Sequence, residues 1–185
     1  MTKLLRIICM CLLGVGALAV QAEDAGFSVV EARSELLGDQ WVLSLASDLK
    51  LPKRPAEALS SGLALYFQVD IELRRNRKFW FPQVLLDRSI QYRVSYRNLT
   101  NRYLLQYLDT GEERFFPTLE TALAEVGRLV AYPLLPRAAI ENPSETEIEV
   151  LVALDATQLP APLRPTSFLS SDWRMSTPPA IWTLQ

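Results

Sequence analysis

A strict alternation of residue types from position 63 to position 73 constrains the fold of this chain more than any other feature. Its most apolar members all fall on one face of an extended strand: Leu63, Leu65, Phe67, Val69, Ile71 and Leu73. The intervening residues are more polar, with Gln68, Asp70 and Glu72 among them. This period predicts an antiparallel strand with one buried face and one wetter face.

Other segments of the chain show the same two-residue alternation, and residues typical of turns lie between these segments. Further strands are predicted at residues 27–36, 41–49, 90–96, 103–108 and 148–154. Hairpin turns are predicted at residues 38–39, 75–77, 98–101 and 109–111. Sequential strands joined by short turns favour a meander.

Two segments have helical periodicity instead. Residues 118–130 place their apolar members on one side, and Thr118 is suited to cap the helix. The apolar side comprises Leu119, Ala122, Leu123, Val126 and Val130. Residues 55–60 predict a shorter helix that ends before Gly62.

The end of the chain is rich in proline, which is poorly suited to the interior of a sheet. From Leu159 onward we expect an extended, irregular wrap anchored by Trp173 and Trp182. The whole pattern predicts an α+β fold: a mostly antiparallel β-sheet or β-sandwich of meander-like order, with one main packed helix and a Pro-rich C-terminal wrap.

Residues 1–22 have the features of an export signal. Lys3 and Arg6 precede an apolar run, and Val20 and Ala22 place small residues at the −3 and −1 positions. We therefore expect cleavage after Ala22 and a single periplasmic domain at residues 23–185. The alternative is retention as an anchor, but the run is short for a membrane span and lacks a second basic flank.

The predicted domain has 163 of the 185 residues and contains neither histidine nor cysteine, because both cysteines lie in the signal. It therefore lacks the usual general base and the usual soft metal ligands, and a Ser-His-Asp triad is excluded. With the signal removed, 17 basic residues face 21 acidic ones, giving a net charge of −4. A mildly acidic domain is poorly suited to nucleic acid.

The densest local feature is a run of cations followed by aromatic residues, Arg-Arg-Asn-Arg-Lys-Phe-Trp-Phe at positions 74–81. Such a run could bind an anionic lipid headgroup, a phosphorylated glycan or an acidic partner. The simpler interpretation is a solvated hairpin tip whose aromatic residues enter the next strand. The candidate binding residues are Arg74, Arg75, Arg77, Lys78, Phe79 and Trp80.

Asp70 and Glu72 form a weaker candidate site on the polar face of the 63–73 strand. Paired carboxylates could serve glycoside hydrolysis if burial raised the pKa of one of them. A solvated strand face near cross-strand arginines such as Arg93 and Arg97 is the favoured interpretation.

Four tyrosines predict an aromatic ladder across two adjacent strands: Tyr92, Tyr96, Tyr103 and Tyr107. Such a ladder either lines a ligand pocket or stabilises the sheet.

A set of short stretches spread over residues 23–185 carries a family resemblance. It comprises Ala58-Leu59 through Gly62, Arg75 to Trp80, Tyr96 to Thr100 before Tyr103, Phe116 to Leu123 with Gly127, Leu154-Asp155, Leu159-Pro160, Pro162 to Arg164, Ser171 and Trp173. In these positions the chain resembles the proteobacterial exported proteins grouped as domain of unknown function 4390. The resemblance implies a Gram-negative envelope protein, in a family with no established activity, ligand or catalytic residue.

These observations favour binding over catalysis. We expect a non-catalytic binding or adaptor protein of the Gram-negative envelope, without cofactor or metal, that contacts an envelope protein through a sheet edge or residues 74–81. Peripheral membrane contact suits the same residues. The first alternative is a carrier of an apolar ligand in a β-barrel-like cavity lined by Tyr92, Tyr96 and Tyr103. The second is a metal-free hydrolase using Asp70 or Glu72.

Overall fold

Strands dominate the structure, as the sequence period predicts. The computed structural model describes residues 25–78, 80–159 and 171–184. The strands are β1 (Gly26–Leu37), β2 (Gln40–Lys50), β3 (Leu65–Arg77), β4 (Trp80–Arg97), β5 (Arg102–Tyr107), β6 (Glu113–Phe116), β7 (Arg128–Pro136), β8 (Thr146–Leu154) and β9 (Ala180–Thr183). The α-helices are α1 (Lys53–Ser60) and α2 (Leu119–Val126). Short 3-10 helices span Arg137–Ala139, Pro143–Glu145, Ala156–Gln158 and Ser171–Trp173.

The strands form two antiparallel sheets. The larger has the order β6-β5-β4-β3-β8-β9 and the smaller has the order β1-β2-β7. The meander prediction is right for β3 to β6, which follow one another through hairpins. It does not predict two further strand pairs: β8 pairs with the other edge of β3, and β7 pairs with β2. The predicted α+β, mostly antiparallel fold is confirmed.

The core lies between the two sheets, and β3 is at its centre. Every second side chain of β3 from Leu65 to Leu73 is at most 1% exposed, so the predicted buried face is confirmed. The rings of Phe27 on β1 and Phe67 on β3 stack across the sheets with their centroids 6.3 Å apart. The hydrophobic effect of burying these two apolar faces together stabilises the sandwich.

Helix α2 is shorter than predicted. Thr118 caps it as expected, accepting a hydrogen bond from the backbone nitrogen of Thr121 at 3.3 Å. The helix ends at Val126 instead of continuing to residue 130, because Gly127 turns the chain against β2 and Arg128 begins strand β7. Val130, which the helical pattern placed on the apolar side, is 67% exposed. The sequence pattern missed β7 altogether.

One turn prediction is wrong, and the others hold. Residues 75–77 belong to β3, since Arg75 pairs with Gln83 and Arg77 with Trp80. The reversal therefore falls later, between the paired residues Arg77 and Trp80. The β1–β2 turn lies where predicted, at Gly38, whose φ of 61° is easily adopted without a Cβ.

The C-terminal wrap is anchored by both predicted tryptophans. Trp173 is buried, and the indole nitrogen of Trp182 donates a hydrogen bond to the Ser34 hydroxyl at 3.0 Å. The last strand, β9, also pairs with β8, so the C-terminal wrap ends in the larger sheet. The predicted signal peptide, Phe79 and residues 160–170 lie outside the described residues.

Candidate binding site

The β3–β4 hairpin extends past its neighbours at one end of the larger sheet. Strand β8 pairs with β3 only as far as the Arg75–Thr146 pair, and β5 pairs with β4 only over residues 92–97. Beyond Arg75, β3 and β4 therefore pair only with each other within the described structure. We call the end of this ribbon the hairpin tip; it comprises Arg77, Lys78, Trp80, Phe81 and Pro82.

Two of the four predicted cations stabilise the base of this ribbon. The Arg74 guanidinium forms ion pairs with Glu72, at 3.2 Å between Nε and Oε1, and with Glu149 on β8. The Arg75 guanidinium lies 2.8 Å from a carboxylate oxygen of Glu141. The charges of Arg74 and Arg75 are thus matched within the protein.

The other two cations lie at the hairpin tip, where none of the described carboxylates pairs with them. Arg77 donates a hydrogen bond to the neutral side chain of Gln83. Within the described part of the chain, no ion pair forms on Arg77 or Lys78. Both residues are exposed. The tip therefore presents two positive charges that are free to make charge-assisted contacts.

The two described aromatic residues of the tip are almost entirely in solvent. Trp80 is 78% exposed and Phe81 is 91% exposed. Together with Arg77, Lys78 and Pro82 they line one shallow depression in the surface. Neither belongs to the hydrophobic core or packs against it. The sequence-based set of candidates omits Phe81, although the same run of residues contains it.

Asp70 and Glu72 each contact a polar side chain on their own strand. Asp70 accepts a hydrogen bond from the Gln68 amide at 2.8 Å, and Glu72 is held by Arg74. The predicted cross-strand partners are wrong, since Arg93 lies opposite Tyr66 and Arg97 opposite Arg102. Glu72 instead forms an ion pair with Arg74, which lies two positions further along the same strand.

The predicted tyrosine ladder is confirmed. Tyr92 lies opposite Tyr107 and Tyr96 opposite Tyr103, with ring centroids 5.2 Å and 4.9 Å apart. The ladder therefore contributes cross-strand aromatic pairs to the sheet.

An open cleft of about 580 Å³ lies beside one of these pairs, lined by Tyr92, Tyr107 and residues of β7. Across its rim the Tyr107 hydroxyl donates to Glu125 at 2.8 Å, and Arg114 contacts Glu125 at 2.6 Å. Tyr96 and Tyr103 are not among its lining residues, and the two sheets are separate. The cleft thus differs from the barrel cavity that an apolar-ligand carrier would need.

Comparison with known proteins identifies the family. The model of the family described as "Domain of unknown function (DUF4390)" matches residues 24–183. The chain belongs to this family. The DUF4390 match includes both sheets and the hairpin tip. No curated protein and no solved structure matches the chain.

Among the described residues of the DUF4390 domain, no group of three or more histidine, cysteine, aspartate or glutamate side chains could hold a metal ion. No helix in the same part of the chain is long and apolar enough to cross a membrane.

Alkaline pH is expected to destabilise the DUF4390 domain through the tyrosines of the cleft. Burial, and then the charge of Glu125, raises the pKa of Tyr92 from 10.0 to about 12. Burial and the hydrogen bond to Glu125 also raise the pKa of Tyr107. Because the folded state favours the neutral phenol, this stability is complete below the unfolded pKa of about 10 and is lost as the pH rises through the folded pKa.

The measurement is urea denaturation at several pH values between about 8 and about 12. Wild type should lose on the order of 3 kcal/mol through Tyr92 across this window. Tyr92→Phe should lose less over the same range. A variant whose pH dependence matches that of wild type would contradict the assignment.

Proposed function

We propose that this DUF4390 protein is a non-catalytic binding protein of the Gram-negative envelope and that it attaches to its partner through the hairpin tip. The proposal rests on one observation. Two cations that form no ion pair in the described structure lie beside two highly exposed aromatic side chains on a projecting ribbon. Exposed apolar groups of this size, rimmed by polar residues, typically mark an interaction site.

Among the described residues, these side chains take no part in the core. Strand β3 buries its alternate residues against the smaller sheet, and the tip begins beyond the last of those residues, Leu73. An exposed tryptophan or phenylalanine adds nothing to the hydrophobic stabilisation of the folded chain. Binding is therefore the function that the placement of Trp80 and Phe81 supports best.

The envelope location rests on the N-terminal sequence. The basic residues, apolar run and small residues of positions 1–22 support export and cleavage after Ala22, which would place the domain in the periplasm.

Photo-crosslinking in cells tests the proposal. A photoreactive phenylalanine analogue replaces Phe81 at the tip or, as the matched control, Phe115 on edge strand β6, which is 52% exposed. We expect a specific crosslinked product from position 81 that is absent from position 115. Equal products from both positions, or none from position 81, would contradict a role for the tip.

A further inference from the structure

We infer that the partner of the hairpin tip is the surface of an anionic lipid bilayer, into which Trp80 and Phe81 insert. This inference rests on the proposed function, because it names the partner of the same site. Three properties of the tip support it: the projection of the ribbon beyond its neighbouring strands, the chemistry of its aromatic residues and its charge.

The ribbon carries its aromatic residues beyond the neighbouring strands. Strands β8 and β5 stop short of the tip, and Trp80 and Phe81 there are 78% and 91% exposed. A fluid layer surrounds a projecting tip of this kind and covers both aromatic side chains together.

The chemistry of the two aromatic side chains suits a bilayer. Tryptophan and phenylalanine favour the membrane–water interface, and binding to a bilayer requires no complementary surface of fixed shape.

The charge of the tip suits an anionic surface. Arg77 and Lys78 have no carboxylate partner in the described structure, while the nearby Arg74 and Arg75 are already paired. The chain as a whole has a net charge of −2, so its positive tip would turn toward acidic headgroups. Each cation near such a surface should strengthen binding about fivefold.

Co-sedimentation of the purified protein with vesicles tests the inference. One set of vesicles contains phosphatidylglycerol and phosphatidylethanolamine, and the other contains phosphatidylcholine alone. We expect binding to the anionic vesicles at least tenfold tighter than to the neutral ones, since two cations contribute about fivefold each. The combined variant Trp80→Ala/Phe81→Ala should bind the anionic vesicles at least tenfold more weakly than wild type.

A charge variant and two controls complete the design. Arg77→Gln/Lys78→Gln should lower anionic binding by more than tenfold and leave the weak neutral binding unchanged. The controls lie at the opposite end of β4: Leu99→Ala, at a fully exposed turn residue, and Arg97→Gln/Arg102→Gln. Both controls should bind like wild type. All variants share the same N-terminal segment, so a difference in vesicle binding between a tip variant and its control is caused by the substituted tip residues.

The outcomes separate this inference from the proposed function. Equal vesicle binding by wild type and Trp80→Ala/Phe81→Ala, or no preference for anionic vesicles, would overturn the lipid partner. If position 81 then still crosslinked to a protein in cells, the tip would remain the contact and its partner would be that protein. Failure of both experiments would overturn both proposals.

Discussion

Replacing Gly127 with alanine is expected to lower the free energy of unfolding by about 1–3 kcal/mol. An alanine Cβ at this position would lie 2.7 Å from the backbone oxygen of Ser47 and 3.2 Å from its Cβ. The two segments cannot easily separate, because the Ser47 nitrogen donates a hydrogen bond to the Gly127 oxygen at 2.9 Å. Overpacking against backbone must therefore displace either α2 or β2.

Urea denaturation measures this effect, with Gly26→Ala as the control. A Cβ at Gly26, on the first residue of β1, would meet no atom within 4 Å. We expect Gly26→Ala to stay within about 0.5 kcal/mol of wild type. A Gly127→Ala protein as stable as the Gly26→Ala protein would show that the contact between α2 and β2 is loose.

Truncating Phe67 is expected to cost about 3–5 kcal/mol, whereas the same truncation at Phe81 should change stability by less than about 0.5 kcal/mol. Phe67 is 1% exposed and stacks on Phe27 across the two sheets, so its loss leaves a cavity in the core. Phe81 is 91% exposed. Both substitutions remove the same side-chain atoms, one from β3 and the other from the adjacent strand β4.

Chemical denaturation of Phe67→Ala and Phe81→Ala in parallel makes this comparison. The expected result separates the residues that stabilise the sandwich from those at the tip. If Phe81→Ala were strongly destabilising, the tip would belong to the folded core and the argument for a binding role would lose its basis.

Local patterns were sufficient to predict most of the fold. The alternation along β3 identified its buried face because burial of one sheet face imposes a period of two. Strand β7 was missed because its sequence, Arg-Leu-Val-Ala-Tyr-Pro-Leu-Leu-Pro, continues an apolar helical pattern past Gly127. The contact that ends α2, between Gly127 and Ser47, joins residues far apart in the chain. A sequence pattern does not contain such a contact.

The sequence predicts which run of residues holds the candidate site, but which of its cations are ion-paired depends on tertiary structure. The sequence shows four cations in one run without distinguishing among them. Arg74 and Arg75 are matched by Glu149 and Glu141, which lie well over 60 residues away and are brought close by β8 and the segment before it. Only the folded structure therefore shows that Arg77 and Lys78 are the cations available at the tip.

Crosslinking from positions 81 and 115 in cells is the most direct test of whether the hairpin tip contacts a partner. Both positions hold an exposed phenylalanine on a strand, so the photoreactive analogue perturbs them in a similar way. We expect a specific product, with lipid or protein, from position 81 alone. A product from position 115 that is equal to or stronger than that from position 81 would contradict it.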